Sequence, residues 1–161
     1  YVTHDQTEAL SMSDRIAVMS SGQFVEIGSP DELYYRPRAA FTARSIGGAN
    51  VLGGTASGGD RGLTVVETPL GRLYSADTAA GPVQVFVRAD KITPVSEPGI
   101  NVLDCRVRER RCAGETTELD LVHDDNSIVL RCRLPTTLAA AVGQAIRVRI
   151  DPSDVRTFRC D

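Results

Sequence analysis

The chain has 161 residues, a net charge of −3 and 42% hydrophobic residues, values that are ordinary for a globular protein of one or two domains. It contains no run of 18 or more apolar residues, which excludes a membrane-spanning helix. The negative net charge argues against a protein that binds polyanions. Lys91 is the only lysine among the 18 basic residues. A GC-rich genome explains this bias, and selection of arginine for bidentate anion binding is the alternative.

The cysteine pattern points to free thiols. Cys105, Cys112, Cys132 and Cys160 form no Cys-x-x-Cys pair and no zinc-binding spacing. Cys105 and Cys132 fall in the apolar phase of strand-like runs, where small core residues are expected. We therefore predict free, reduced and mostly buried cysteines, as in a cytosolic protein.

A helix is predicted near the start of the chain. Asp5 followed by Glu8, or Thr3 followed by Gln6, has the spacing of a capping box. The residues that follow give this helix one short apolar face. The pattern predicts that the helix ends by Asp14.

A β-hairpin and two further helices are predicted next. The apolar runs 15–20 and 23–27 flank a Ser-Gly turn and predict the hairpin. Ser29-Pro30-Asp31-Glu32 combines a capping residue, a proline suited to the first helical position and a glutamate at capping-box spacing. A third helical pattern covers residues 39–46 and ends at Gly47-Gly48.

From Asn50 onward the pattern is that of short β-strands separated by Gly and Pro turns. The Gly-rich stretch 51–60 is expected to begin as a strand and to break into a loop, and residues 137–142 predict one or two helical turns. The other predicted strands cover residues 63–67, 71–75, 83–88, 102–111, 118–122, 127–134 and 145–150. The fold class is therefore mainly β, with a small OB-like antiparallel β-barrel or sandwich.

Two stretches of this β region resemble each other. Val85–Ile92 and Val148–Val155 each contain an apolar strand that ends at a polar corner, and an apolar residue returns four or five positions later. A duplicated small barrel would produce this similarity, and a chance similarity is the alternative.

The first part of the chain resembles one continuous pattern of a known family. The pattern runs through Val2–Leu10, Asp14-Arg15-Ile16, Val18-Met19, Gly22, Ile27–Pro30, Leu33-Tyr34, Pro37, Phe41, Ala43, Ile46-Gly47 and Asn50-Val51-Leu52. It is similar to the end of the nucleotide-binding domain in ATP-binding-cassette importer ATPases that serve polyamines, iron(III), maltose-type sugars and sulfate. The resemblance implies an α/β remnant of that domain in residues 1–50. It also implies a regulatory β-domain of the transport-associated OB (TOBE) type in residues 51–161.

The resemblance implies a catalytic role for His4. In this family the matching position holds the switch histidine, which reaches the γ-phosphate of ATP and the attacking water. An imidazole suits this task because it can donate to a phosphate oxygen and hold a water in line. Without the flanking motif, a lone histidine before an aspartate is more often an exposed or cap-adjacent residue. His4 is the single catalytic assignment, and no cofactor-binding or metal residue is assigned.

The other ATPase motifs are not found in this sequence. A Walker A loop needs Gly-x-x-x-x-Gly-Lys-Ser/Thr, and the only lysine, Lys91, follows Asp90. The only Asp-Glu pair, Asp31-Glu32, opens a helix instead of ending a Walker B strand. Ser20–Gln23 is similar to the signature motif but lies in a hairpin turn. We expect ATP and Mg²⁺ to be cofactors of the full-length protein, and we expect no cofactor and no ATP turnover for this chain alone.

The resemblance also implies partners and a location. The chain would be the C-terminal regulatory and dimerisation part of an importer subunit that couples ATP hydrolysis to uptake of a polyamine, iron(III) or a sugar. The full-length protein would form a homodimer and bind membrane-spanning permease subunits that work with a periplasmic solute-binding protein. It would lie in the cytoplasm, at the inner face of the bacterial cell membrane. The matched residues do not distinguish among the solutes.

Small-ligand sensing is the alternative function of the β region. Arg88, Arg106, Arg108 and Arg110 could supply bidentate contacts to an oxyanion. The last three recur at every second position of a strand, so a solvated strand face explains them as well.

Nucleic-acid binding and a metal site are weaker alternatives. An OB-like barrel that binds nucleic acid needs aromatic residues in a basic groove, and Phe86 is the only aromatic residue in the range 83–157. His123-Asp124-Asp125 has the residue types of a metal site, but a polar hairpin turn explains the same residues. We therefore predict neither a nucleic-acid partner nor a metal.

Overall fold

The computed structural model describes residues 1–123 and 128–160. The chain divides into two compact units, Tyr1–Ala49 and Asn50–Asp161. Each unit contains its own cluster of buried apolar side chains. No helix in the described ranges has the length and apolar character that crossing a membrane would require.

The first unit contains a two-stranded hairpin and three short helices. Its elements are α1 (Gln6–Met12), β1 (Ile16–Ser20), β2 (Gln23–Gly28), α2 (Pro30–Tyr35) and α3 (Ala40–Ser45). The core of this unit is small: its buried members are Val18, Leu33 and Ile46, with Leu10, Ile16 and Tyr34 packed against them.

The predicted starts of α1 and α2 are confirmed. Asp5 caps α1, and its Oδ1 accepts hydrogen bonds from the backbone N–H of Thr7 at 2.7 Å and of Glu8 at 3.2 Å. Ser29 caps α2 in a complete capping box, because the Glu32 carboxylate accepts from Ser29 N–H at 2.9 Å. This backbone hydrogen bond lowers the pKa of Glu32. Each side-chain cap stabilises its helix by about 1 kcal/mol.

The predicted hairpin is also confirmed, and one of its faces is apolar and exposed. Ser21 and Gly22 have φ values of 49° and 78°, as a type I′ turn requires. Met19 lies opposite Phe24, and Ile27 lies on the same face of the hairpin. These three side chains are 52%, 65% and 50% exposed, respectively. The first unit therefore presents an apolar surface to solvent.

The second unit is mainly β, as predicted. Its first half contains β3 (Ala49–Asp60), β4 (Leu63–Thr68), β5 (Gly71–Ser75), β6 (Gly81–Arg88) and β7 (Ile92–Pro94). Its second half contains β8 (Val102–Ala113), β9 (Thr116–His123), β10 (Val129–Pro135), β11 (Ala145–Ile150) and β12 (Arg156–Arg159). Short 3-10 turns cover residues 89–91, 136–138 and 152–154. The one or two helical turns predicted for residues 137–142 form no α-helix, and only the 3-10 turn at 136–138 overlaps them.

The strands form two five-stranded sheets with the same internal order. The first sheet runs β12-β6-β3-β4-β5, and the second runs β7-β11-β8-β9-β10. β7 follows β6 in the chain but pairs with β11, and β12 follows β11 but pairs with β6. The internal repeat suggested by the similarity of Val85–Ile92 to Val148–Val155 is confirmed, because the two sheets have the same strand order. Each half of the unit thus contributes its last strand to the sheet of the other half.

Three details of the strand prediction are wrong. The stretch 51–60 does not break into a loop, since β3 continues to Asp60. Its glycines allow close packing: a Cβ atom on Gly54 would lie 2.9 Å from Cγ1 of Val66 on β4. The other two errors are the missed strands β7 and β12. They are too short to show an alternating pattern, and their pairing with the other half defines them.

One core serves both sheets of the second unit. Its fully buried members include Leu73 on β5, Ile92 on β7, Leu121 on β9 and Ile150 on β11. Because residues from both halves interdigitate in this core, neither half can bury its apolar face without the other.

Two of the four cysteines are buried and two are exposed. All four are free. Cys105 and Cys132 are buried as predicted, and burial raises the pKa of Cys132 to about 12. The prediction of mostly buried thiols is wrong for Cys112 and Cys160. Cys112 lies near the end of β8 and Cys160 follows β12, and both are outside the core cluster. A hydrogen bond with the backbone of Gly114 lowers the pKa of Cys112.

Candidate functional site

His4 lies immediately before α1, on a segment that its neighbours hold in place. The backbone N–H of Asp5 donates to Thr3 Oγ1 at 2.9 Å, and this hydroxyl donates to Glu8 Oε2 at 3.0 Å. The hydroxyl of Tyr1 donates to the same carboxylate oxygen at 2.9 Å. The residues on both sides of His4 are therefore anchored to the first turn of α1.

The side chain of His4 is exposed and lines an open cavity of about 180 Å³ within the first unit. The lining combines polar residues, such as Asp5, with apolar residues of α1 and β1, such as Leu10 and Val18. An imidazole in this position is accessible to a ligand and can donate a hydrogen bond to an anionic oxygen. The arrangement suits a residue that contacts a phosphate, once a phosphate-binding loop is present.

The residues that could be mistaken for further ATPase motifs have local structural roles. Asp31 and Glu32 lie in the first turn of α2, where Glu32 completes the capping box. Ser20 and Gln23 pair across the turn of the hairpin. Lys91 lies in the 3-10 turn of the second unit that joins β6 to β7.

The metal-site alternative concerns a turn that is only partly described. Asp124 and Asp125 lie outside the described residues. His123 Nδ1 lies 2.7 Å from the carbonyl oxygen of Asp104, so this ring nitrogen has a backbone partner. The described ranges contain no group of three His, Cys, Asp or Glu residues that could hold a metal ion.

The arginines proposed for an oxyanion sensor do not converge on one site. Arg88 is buried on β6 of the first sheet, whereas the other three lie on β8 of the second. Arg106 donates to the carbonyl of Gly143 at 2.7 Å. Arg108 lies 3.8 Å from the carboxylate of Asp120. The charges of Arg106 and Arg108 are therefore directed to partners within the protein.

The prediction that Arg110 shares a strand face with Arg108 is wrong. The register between β8 and β9 shifts at a β-bulge just before Arg110, which consequently lies opposite the buried Leu119. An extra residue in one strand reverses the alternation beyond it. Arg111 takes the expected place and donates to Asp120 at 2.7 Å, which raises the pKa of Arg111.

A second cavity, of about 430 Å³, lies between the two 3-10 turns that precede β7 and β12. It is lined by Asp90, Lys91, Thr93, Val95, Arg149, Asp151 and Asp154. Arg149 and Asp151 form an ion pair at 3.6 Å. Burial raises the pKa of Asp154. The cleft therefore offers charges of both signs to a polar ligand.

Sequence reasoning missed two buried asparagines that begin the two halves of the second unit. Asn50 and Asn101 are 8% and 4% exposed. Each forms two hydrogen bonds to the backbone of one residue on an edge strand of the other half. A signal was present, because Asn-Val-Leu occurs at 50–52 and again at 101–103.

The fold defines the class of the second unit as an OB-type β-domain. It is similar to a solved structure of the cytoplasmic molybdate-binding protein ModG with molybdate bound. The TM-score is 0.59, and the match covers 69% of this chain and 96% of that chain at 17% sequence identity. A likeness at this level of identity establishes the fold alone. Residues 85–158 match the family model of the TOBE domain.

The whole chain is similar to ATP-binding subunits of importers. It is 34% identical over 98% of its length to the sulfate/thiosulfate import ATP-binding protein CysA of Rhodopseudomonas palustris. It is 36% identical over 94% of its length to the spermidine/putrescine import ATP-binding protein PotA of Rubrobacter xylanophilus. The chain spans 44% and 42% of these relatives. Nearly the whole chain is therefore similar to the C-terminal, TOBE-containing region of ATP-binding-cassette importer ATP-binding subunits.

Proposed function

We propose that this chain is the regulatory C-terminal region of an importer subunit that couples ATP hydrolysis to solute uptake. The observation that carries the proposal is the similarity of nearly the whole chain to import ATP-binding proteins, together with the TOBE domain. Residues 1–50 would end the nucleotide-binding domain, and residues 51–161 would form the regulatory domain. The names of the relatives support a polyamine or a sulfur oxyanion as the solute.

In this proposal His4 is the switch histidine of the full-length protein. Its exposed imidazole beside the cavity of the first unit supports the role, as does the anchoring of Thr3 and Asp5 to Glu8. ATP and Mg²⁺ would be bound by a Walker A loop and a Walker B strand, which this sequence does not contain. His4 would then orient the attacking water and contact the γ-phosphate.

The exposed face of the hairpin supports a larger nucleotide-binding domain around the first unit. Met19, Phe24 and Ile27 are at least half exposed and lie on one face. Contiguous apolar surface of this kind usually marks a contact with further protein. We infer that the remainder of the nucleotide-binding domain covers it.

The proposed partners follow from the family. Two copies of the full-length protein would pair and bind the permease subunits at the cytoplasmic face of the membrane. A periplasmic solute-binding protein would deliver the solute. The import function in the names of the relatives supports the transport partners, and the pairing of two copies rests on the resemblance alone.

Measurement of ATP hydrolysis tests the proposed function. The full-length protein is expected to release phosphate from Mg-ATP, alone or with its permease subunits. The purified chain 1–161 is expected to release none, because the only lysine of its sequence lies outside any Walker A motif. A full-length protein that does not hydrolyse ATP under either condition would refute the proposal, and so would turnover by residues 1–161.

Small-ligand sensing by the second unit is a second candidate function. The mixed-charge cleft between the two 3-10 turns favours it, since about 430 Å³ is within the size range of small-molecule sites. Thermal-shift measurements with oxyanions, polyamines and sugars test this function. A ligand that binds the folded state raises Tm as its concentration rises, and Lys91→Ala should reduce that shift. The absence of a shift with all three classes would speak against a sensor.

A further inference from the structure

In each sheet of the second unit, an asparagine side chain contacts the backbone of one edge strand. β5 is the edge strand contacted in the first sheet, and β10 is the one contacted in the second. Asn101 Oδ1 accepts from the backbone N–H of Tyr74, and Asn101 Nδ2 donates to the carbonyl of Tyr74, both at 2.7 Å. A residue of a neighbouring antiparallel strand would make this same pair of hydrogen bonds.

Asn50 makes the equivalent contact in the other half. Its Oδ1 accepts from the N–H of Arg131 at 2.7 Å, and its Nδ2 donates to the carbonyl of Arg131 at 2.8 Å. Asn50 Nδ2 also donates to the carbonyl of Val87 at 3.2 Å, and the carbonyl of Asn101 accepts from Ile150 N–H at 3.1 Å. Each asparagine therefore links β6 or β11 of its own half to the edge strand of the other half.

The residues that follow Tyr74 and Arg131 also form equivalent hydrogen bonds to the opposite half. Ser75 follows Tyr74, and its hydroxyl donates to the carbonyl of Val155. Cys132 follows Arg131, and its thiol donates to the carbonyl of Ile92 at 3.3 Å. The reciprocal bonds show that both edge strands are held by equivalent positions of the opposite half.

We propose that Asn50 and Asn101 are edge-closing residues, which prevent β5 and β10 from adding a strand of a second copy of this chain. The outward N–H and C=O groups of an edge strand are a template for pairing with another chain. A side-chain amide satisfies one such pair of groups but has no backbone to continue the sheet. A second copy is the occupant that is kept out, because two β5 strands could exchange the same two bonds about Tyr74. The pairing of two copies proposed above would then use other surfaces.

The two edges differ in their further protection. β10 carries the exposed Arg131 and Arg133, and it ends at Pro135, which has no N–H. In an antiparallel β10–β10 pair these arginines would face their counterparts, and like charges in that position are unfavourable. β5 carries one charged residue, Arg72, which pairs with Glu67 at 2.8 Å, and Arg133 of β10 likewise pairs with Glu118 at 2.7 Å. β5 thus has one arginine where β10 has two, and it does not end in a proline. We therefore expect closure of β5 to depend more on its asparagine than closure of β10 does.

The backbone at Asn101 decides which substitution is informative. Asn101 has φ of 54°, in the left-handed region that asparagine and glycine tolerate better than other residues. Asn101→Gly removes the side-chain amide without straining this backbone. Asn50→Gly removes the equivalent amide at the protected edge and is the matched control. All variants share the exposed face of the hairpin, so each is compared with the wild-type chain at equal concentration.

Sedimentation velocity of the full chain over rising concentration tests the proposal. We expect Asn101→Gly to form dimers or larger species at concentrations where the wild-type chain and Asn50→Gly keep one common sedimentation coefficient. Adding Tyr74→Pro to Asn101→Gly should abolish the association, because proline removes the N–H that strand pairing needs. In the wild-type chain Asn101 accepts this N–H, which points away from β4. Proline at position 74 therefore leaves the hydrogen bonds between β5 and β4 intact.

Hydrogen exchange at the amide of Tyr74 provides the second measurement. In Asn101→Gly the amide should exchange faster than in the wild-type chain at low concentration and become protected as association proceeds. Wild-type sedimentation of Asn101→Gly would overturn the proposal. Association that persists with Tyr74→Pro would also overturn it, because the contact would not be a strand pair. Loss of the folded circular-dichroism spectrum in Asn101→Gly would show that the residue is needed for folding and would equally refute edge closure.

Discussion

Replacement of His4 by alanine in the full-length protein is expected to lower the rate of ATP hydrolysis by about 10²- to 10⁴-fold, the usual contribution of a positioned acid–base group. The reason is that the proposed role of His4 is to hold the attacking water and the γ-phosphate in line. Steady-state kinetics should show a lower kcat with little change in KM, because nucleotide binding would rest on other residues.

A neighbouring position on α1 supplies the control for this result. Ser11 is exposed on the same helix, and its hydroxyl donates only to the carbonyl of Glu8 at 3.3 Å. Ser11→Ala should therefore keep the wild-type rate. If His4→Ala retained that rate while the protein stayed folded, the assignment of His4 would be refuted, although the similarity of the chain to importer subunits would stand.

Replacement of Ile92 by alanine is expected to destabilise the second unit by about 2 to 5 kcal/mol, the usual cost of truncating a buried isoleucine. Ile92 is fully buried and begins β7, which belongs to the first half but pairs with β11 of the second. The free energy of unfolding can be measured by urea denaturation. Amide hydrogen exchange on β11 should accelerate together with hydrogen exchange on β6. The reason is that β7 and β12, which each half contributes to the sheet of the other half, couple the two sheets.

Thr93→Ala is the matched control, because Thr93 is the next residue on β7 and its side chain is exposed. The change in its free energy of unfolding should stay within about 0.5 kcal/mol. If Ile92→Ala accelerated exchange on β6 but left β11 unchanged, the two halves would be energetically independent, and the exchanged strands would not couple them.

Local signals in the sequence predicted the first unit well. Asp5 and Ser29 were placed at helix starts, and both cap their helices through short-range hydrogen bonds. The Ser21-Gly22 turn was predicted from residue types that tolerate positive φ. These features depend on neighbours a few residues away, so the order of residues is sufficient to predict them.

Long-range pairing limited the prediction of the second unit. Arg110 was assigned to the wrong face because a single bulge in β8 reverses the alternation, and the β8 sequence alone does not mark the bulge. The strands β7 and β12 were missed because such short strands contain too few residues to show a periodic pattern. The cleft between the two 3-10 turns joins residues of both halves, and no local motif connects them.

His4 and the motif around it were sufficient, from the sequence by itself, to indicate the family, and the alternating runs after Asn50 were sufficient to indicate a β-domain. Only the tertiary structure decided that the two halves exchange their last strands. It also decided that Asn50 and Asn101 meet the backbones of Arg131 and Tyr74. The physical reason is that these contacts join groups distant in sequence, whose approach is determined by packing of the shared core and not by the conformational preferences of nearby residues.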